Sequence, residues 1–299
     1  MKKPALFAVI FFAVIQFAGA NEIIPEYIAS TYKIPPFYVK EVLGKAKIDE
    51  SVLDKINNQT EQKEWDEYRK IFLNSDKIRK GKYFYKKYRK LLLKAKRRYN
   101  IPAEIIAAII GVESDFGKYV PKFRALDSLY TLATKFNRRS EYFTDELGNF
   151  IKYSYVYKLK AENIKSSYAG AIGIPQFMPS NILKYAVDFN GDGRIDLENS
   201  IADAIGSVAN YLNKNGWKSG EATAVMVKNA DRQQDNFVKV QTLRKKGVIF
   251  PFNIKKGEVK IVKFGVSYWA TFKNFDVLKK YNPSDNYALS VLLLSKELR

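Results

Sequence analysis

The stretch EIIAAIIGVES, residues 104–114, limits the fold of this chain more than any other. Seven of the eight residues from Ile105 to Val112 are apolar, and the eighth is Gly111. A helix that is apolar all round has no face to give to water, so it must be buried on every side. Other elements have to be wrapped round it. Asn100 is placed to cap this helix, with Pro102 close to its first position. Gly111 allows close backbone approach. Glu113 ends the oily run, where chain and solvent meet. Apolar surroundings disfavour the charged form of a carboxyl, and a proton-transfer catalyst needs that shift. The plainer reading is an ordinary helix-end carboxylate. Asp115 is the nearest second acid, but residues two apart do not share a helix face. A two-carboxylate glycosidase site from this pair therefore requires the helix to stop at once. Otherwise Glu113 acts alone.

The rest of the chain reads largely as helix. YIASTYKIPPFYVKEVLGKAKI gives two short pieces parted by Pro35 and Pro36, and Trp65, Tyr68, Ile71 and Phe72 follow at helical spacing. Phe84, Tyr88, Leu91, Ala95 and Tyr99 mark one face of a helix over residues 77–100. Residues 125–157 look helical, and SSYAGAIGIPQFMPS, residues 166–180, is a loop punctuated by Gly and Pro. Ile201, Ile205, Val208, Ala209 and Leu212 share a face of a helix that Asn215-Gly216 ends. VKVQTLRKKG, EVKIVKFG and SYWATF alternate like short strands, and NYALSVLLLSKEL returns to helix.

Composition narrows the chemistry. The chain has no His and no Cys, which excludes Ser-His-Asp and Cys-His sites, His-ligated zinc, disulfides and lipid attachment through cysteine. Residues 1–20 read as a secretory signal: Lys2 and Lys3, an apolar run from Ala5 to Phe17 broken only by Gln16, and Ala18-Gly19-Ala20 as cleavage site. That run is too short for a membrane span, no other segment looks transmembrane, and a periplasmic, soluble product is expected. Losing Lys2 and Lys3 lowers the formal charge from +20 to +18, which implies an acidic partner. Residues 77–100 hold twelve Lys or Arg and no acid. They read first as a solvated helix face, then as a wall-facing patch, and least well as a nucleic-acid site.

DFNGDGRIDLEN, residues 188–199, follows the calcium-loop pattern. Asp188, Asn190 and Asp192 stand at the first, third and fifth positions, and Arg194 offers a carbonyl at the seventh. Asn199 replaces the usual final Glu, with Glu198 or Asp203 as substitutes. Such a calcium would be structural, and a metal-free loop of Asx turns is the alternative. In the loop at 166–180, Gly170 and Gly173 let backbone approach a sugar, and Gln176 can donate to an N-acetyl or hydroxyl group.

These segments occur in an order and spacing that resembles the lytic murein transglycosylase B family. IPAEIIAAIIGVESDFGK, KFNRRSEYF, SSYAGAIGIPQFMPS, VDFNGDGRIDLENSIADAIGSVANYL and YNPSDNYALSVLLL all take part, and EWDEYRKIFL extends the likeness toward the start. The resemblance implies an α+β, mainly α fold with a lysozyme-like catalytic core. The core is expected over residues 76–220 and includes the calcium loop at 188–203. Around it come a helical region at 21–75, a small β-rich insertion at 221–272 and a C-terminal helix at 273–299 that returns to the core. The resemblance also implies cleavage of the β-1,4 bond between N-acetylmuramic acid and N-acetylglucosamine in peptidoglycan, with a 1,6-anhydro product and Glu113 as sole acid and base. No cofactor is implied for catalysis.

Ser167, Gln176 and Met178 are implied at the sugar near the cleaved bond, and Arg138 and Arg139 at the muramyl sugar or its peptide carboxylates. Tyr211, Tyr281, Asn282 and Tyr287 match cleft residues of the family, Tyr68 more weakly, and Asp203 matches its last calcium ligand with one residue inserted before it. A soluble monomer acting on glycan strands, without nucleic acid, is expected. The rival readings are a non-catalytic wall-binding scaffold and a hydrolytic muramidase in which water replaces the sugar hydroxyl.

Overall fold

The structure is a computed structural model that describes residues 20–57 and 63–299. The expected export signal lies outside the described residues, apart from Ala20. In chain order the helices are α1 (Ala20–Tyr32), α2 (Pro36–Leu43), α3 (Glu50–Asn57), α4 (Trp65–Phe72), α5 (Ser75–Lys87), α6 (Arg89–Tyr99) and α7 (Ala103–Ser114). They continue with α8 (Ala125–Lys135), α9 (Ser140–Val156), α10 (Pro179–Tyr185), α11 (Ile201–Lys214), α12 (Val240–Lys245), α13 (Lys273–Tyr281) and α14 (Asp285–Glu297). The strands are β1 (Phe123–Arg124), β2 (Lys165–Ser166), β3 (Ala224–Val227), β4 (Gln234–Lys239), β5 (Glu258–Phe264) and β6 (Ser267–Thr271). The fold is α+β and mainly α, as expected.

The described residues divide into two compact units, one of residues 20–57 and 120–184, the other of residues 63–119 and 185–299. In the first, α8 and α9 pack on each other, α1 lies on α9, and α3 lies on α8. Leu126, Leu129, Leu132, Phe143, Leu147, Phe150 and Ile151 are buried there. The 3-10 turn Asn137–Arg139 reverses the chain between α8 and α9.

In the second unit the oily segment sits where its composition demands. Helix α7 is packed by α5, α6, α11 and α14, and every residue from Ala103 to Gly111 is buried. Gly111 has a specific reason: a Cβ there would stand 2.5 Å from the Phe116 ring. A four-stranded antiparallel sheet of order β3-β6-β5-β4 forms a separate small core of Val240, Leu243, Phe250, Val259, Ile261 and Ala270, among others.

Three expectations are corrected. Asn100 does not begin α7; it ends α6 in the left-handed conformation (φ 58°), and Pro102 precedes α7 instead. Residues 77–100 are two helices, because the backbone opens at Tyr88, and the second buries Leu92 rather than Leu91. VKVQTLRKKG is not a strand throughout: β4 ends at Lys239 and α12 follows, burying Val240 and Leu243.

Candidate active site

Glu113 is the penultimate residue of α7 and is half-buried. Directly after α7 the chain turns sharply through three left-handed residues, Asp115 (φ 48°), Phe116 (φ 62°) and Gly117 (φ 80°). Side chains at such φ are costly and persist only where the surroundings dictate them. Here Lys77 donates to the Gly111 carbonyl (2.9 Å) and to Asp115 Oδ1 (2.8 Å), while Lys80 donates to Asp115 Oδ2 (2.9 Å). Phe116 is buried against the bare backbone of Gly111 and Gly81. Burial alone would raise the Asp115 carboxyl, but its bonds to Lys77 and Lys80 hold it below the usual carboxylate range. The helix does stop at once, yet Asp115 is an ion-paired anchor of the turn rather than an available acid.

Glu113 Oε1 accepts a 2.6 Å hydrogen bond from the Tyr287 hydroxyl, brought in by α14. Tyr287 is only 2% exposed. Its ring stacks on Tyr281 (6.4 Å between centroids, 14° between planes), Tyr281 meets Tyr211 edge-on at 4.8 Å, and Tyr211 meets Tyr185 at 4.9 Å. The Tyr211 hydroxyl donates to the Lys280 carbonyl at 2.5 Å, fixing α11 to the end of α13. Burial, then the Glu113 charge, pushes the phenols of Tyr281 and Tyr287 far above the ordinary tyrosine range. Both are therefore neutral, and Tyr287 meets Glu113 as an O–H donor. Tyr68, on α4, is buried and lies within electrostatic reach of Tyr287. Asn282 is half-buried at the end of α13, where its Oδ1 accepts from the Ser284 amide. The structure thus gathers Glu113, Tyr68, Tyr211, Tyr281, Asn282 and Tyr287 within one unit.

The remaining sugar-binding candidates belong to the other unit. Ser167 and Ala171 close the start of the 166–180 loop, with Ser167 Oγ accepting from the Ala171 amide at 3.1 Å. Gln176 is left-handed (φ 49°), and its Nε2 donates to the Gly173 carbonyl at 2.8 Å. Met178 is half-buried, and its carbonyl accepts from the amides of Asn181 and Ile182 in α10. Arg138 and Arg139 are exposed on the 3-10 turn, Arg139 over the Tyr142 ring at 4.3 Å. One residue escaped the sequence reading. Glu146 is 4% exposed and takes the Ser180 amide (2.9 Å) and hydroxyl (2.6 Å), anchoring the far end of this loop to α9. Burial raises its carboxyl despite these two bonds. The signal was an acid at helical spacing from the apolar positions Phe143 and Phe150 and beside Leu147.

The 188–199 loop has oxygen donors of the kind a hard cation takes. Gly191 and Gly193 are both left-handed (φ 85°), as such a loop requires. Asp188 accepts from the amides of Gly191 and Gly193, and Asn190 donates to Asp192. Asp203 is buried and holds the loop shut through the amides of Phe189, Asn190 and Asp196. Arg194 is exposed at the loop edge. Among the described residues no three acidic side chains converge as a metal cluster. The donor types fit calcium, but Asp203 as it stands serves the backbone.

The transglycosylase SLT domain family matches residues 20–296. Membrane-bound lytic murein transglycosylase B of Escherichia coli K12 is 36% identical over 277 residues, 86% of this chain and 76% of that protein. The lytic transglycosylase SltB1 of Pseudomonas aeruginosa superposes with a TM-score of 0.87 at 33% identity, covering 94% of this chain and 97% of the other. E. coli Slt35 in complex with calcium gives 0.82 at 35% identity, covering 93% and 91%. P. aeruginosa SltB3 in complex with NAG-anhNAM-pentapeptide gives 0.83 at 25% identity, covering 94% and 80%. With its lysozyme-like fold and a matching sequence along nearly all of the described residues, the chain belongs to the transglycosylase SLT domain family and is a lytic transglycosylase.

Proposed function

We propose that this enzyme cuts peptidoglycan between N-acetylmuramic acid and N-acetylglucosamine, with Glu113 as the sole acid and base. Neutral Glu113 gives its proton to the glycosidic oxygen, and the C1–O4 bond breaks. The resulting carboxylate takes the proton of the muramyl C6 hydroxyl as O6 bonds to C1. A 1,6-anhydro ring forms, no water is consumed, and Glu113 ends protonated as it began. Because the attacking hydroxyl is tethered to the substrate, the step is unimolecular, with the large advantage that follows. One group serving twice needs a pKa near working pH.

The observation that carries this reading is the pairing at the end of α7. Glu113 accepts from the buried Tyr287 phenol, while its neighbour Asp115 is ion-paired with Lys77 and Lys80. A second free carboxylate, which a hydrolytic mechanism uses to hold water, is not offered by that neighbour. The ligand in the SltB3 complex supports the same product class. The test is release of soluble fragments from purified peptidoglycan. Glu113→Gln keeps the shape but not the proton and is expected to lose release by at least about a hundredfold. Parental rates in that variant would remove Glu113 from the chemistry.

In this reading Ser167, Gln176, Met178, Arg138 and Arg139 contact the sugars or their peptides, a role that rests on the resemblance. Tyr211, Tyr281 and Asn282 contribute to the cleft, Tyr287 orients Glu113, and Tyr68 supports Tyr287. Side-chain oxygens of Asp188, Asn190 and Asp192 and the Arg194 carbonyl would hold a structural calcium, with Asp203 closing the loop. The calcium in the Slt35 complex supports this. Residues 1–20 act as an export signal, and the enzyme works in the periplasm. Among the described residues no helix is long and apolar enough to cross a membrane.

A further inference from the structure

The run from Lys77 to Arg98 supplies twelve of the eighteen net positive charges that remain once residues 1–20 are set aside. Part of it is answered internally. Lys77 and Lys80 pair with Asp115, and Arg79 pairs with Asp76. Lys87 and Arg98 lie over the rings of Tyr88 and Tyr99, and Lys94 donates to the Phe189 carbonyl. The other six, Lys82, Lys86, Arg89, Lys90, Lys96 and Arg97, are exposed, and none makes an ion pair among the described residues. The buried residues Gly81, Phe84, Leu92, Ala95 and Tyr99 fix the inner side of α5 and α6, so these cations point outward. Like charges at helical spacing repel one another, and the sequence places no acid among them. The row runs on to a cleft of about 620 Å³ lined by Lys96, Arg97, Asn100 and Arg299.

We infer that this face docks the enzyme on a carboxylate-bearing polymer, the peptide stems of the peptidoglycan on which it acts; the inference rests on the proposed substrate. Two consecutive helices of 13 and 11 residues carry the charge, each about 15–20 Å long, a row suited to repeated anions rather than to one small ligand. Among the rings of α5 and α6, only Tyr83 is exposed. A single-stranded nucleic acid would want several exposed rings for stacking, so this face favours carboxylates instead. Docking there is electrostatic and distinct from the cleavage site. It raises the local concentration of enzyme on the wall without touching the scissile bond.

The test uses the full chain carrying Glu113→Gln, which binds without digesting, and purified insoluble peptidoglycan in a pelleting assay. Adding Lys82→Gln, Lys86→Gln, Lys90→Gln and Arg97→Gln should weaken low-salt binding about tenfold or more and flatten its salt dependence. Peptidoglycan whose carboxylates have been amidated should bind both proteins equally weakly. With Glu113 restored, the four changes should leave cleavage of soluble, peptide-free glycan strands at the parental rate, which also shows that the variant is folded. Equal binding of parent and variant to untreated wall would overturn the inference. So would an undiminished difference on amidated wall, or binding to duplex DNA or anionic vesicles that depends on the same four residues while wall binding does not. If the parent failed to cleave any glycan, the proposed activity would fall, whereas the binding comparison would still decide the docking face.

Discussion

A hydrogen bond from Tyr287 orients Glu113. The Tyr287 phenol donates to its Oε1 at 2.6 Å from a buried position on α14. Tyr287→Phe removes that bond. Turnover should drop, because the carboxyl loses its orientation, while the fold persists because the ring stays in place. The kcat for fragment release, set beside denaturant unfolding of the same variant, checks this, and an unchanged kcat would speak against the assignment. Glu113 was legible because an acid at the end of an apolar run is out of place. Tyr287 is marked only by the family resemblance, and its pairing with Glu113 was not legible, since the two lie 174 residues apart and Tyr287 reads locally as one more member of a buried helix.

The turn after α7 is the next determinant. Asp115 holds it through Lys77 and Lys80. Because its carboxyl is depressed in the folded protein, the contribution is complete above the ordinary carboxylate pKa of about 4 and is lost as pH falls through the lower folded value. Asp115→Asn should therefore be less stable by about 1–2 kcal/mol at neutral pH, a figure reduced for partial exposure, and match the parent in strong acid. Denaturant unfolding at the two pH values measures this, and an equal gap at both would exclude the ion pairs as the cause. The 188–199 loop offers a second test. Calcium should raise the melting temperature and a chelator should reverse it, while no shift would remove the proposed calcium. Helix α7 was readable to within a residue or two because its pattern is extreme. The α6 boundary was not, since Asn suits a helix start and a left-handed helix end alike. In VKVQTLRKKG the two-residue alternation of Val238 and Val240 competed with the helical spacing of Val240 and Leu243, and the second pattern prevailed beyond Lys239.

Taken as a molecule, the chain builds its two units from interleaved segments, and local pattern carries no record of which distant segments join. The central helix, the absence of histidine and the basic run were all visible in the sequence. The Glu146 anchor of the 166–180 loop and the stacking of the tyrosines toward Glu113 required the fold. Whether the substrate's own hydroxyl does the work of water is decided by digesting peptidoglycan in water enriched in ¹⁸O and weighing the first products. Fragments one water lighter than hydrolysis products and free of the label are expected. Full-mass reducing ends carrying ¹⁸O would contradict this and make the enzyme a muramidase.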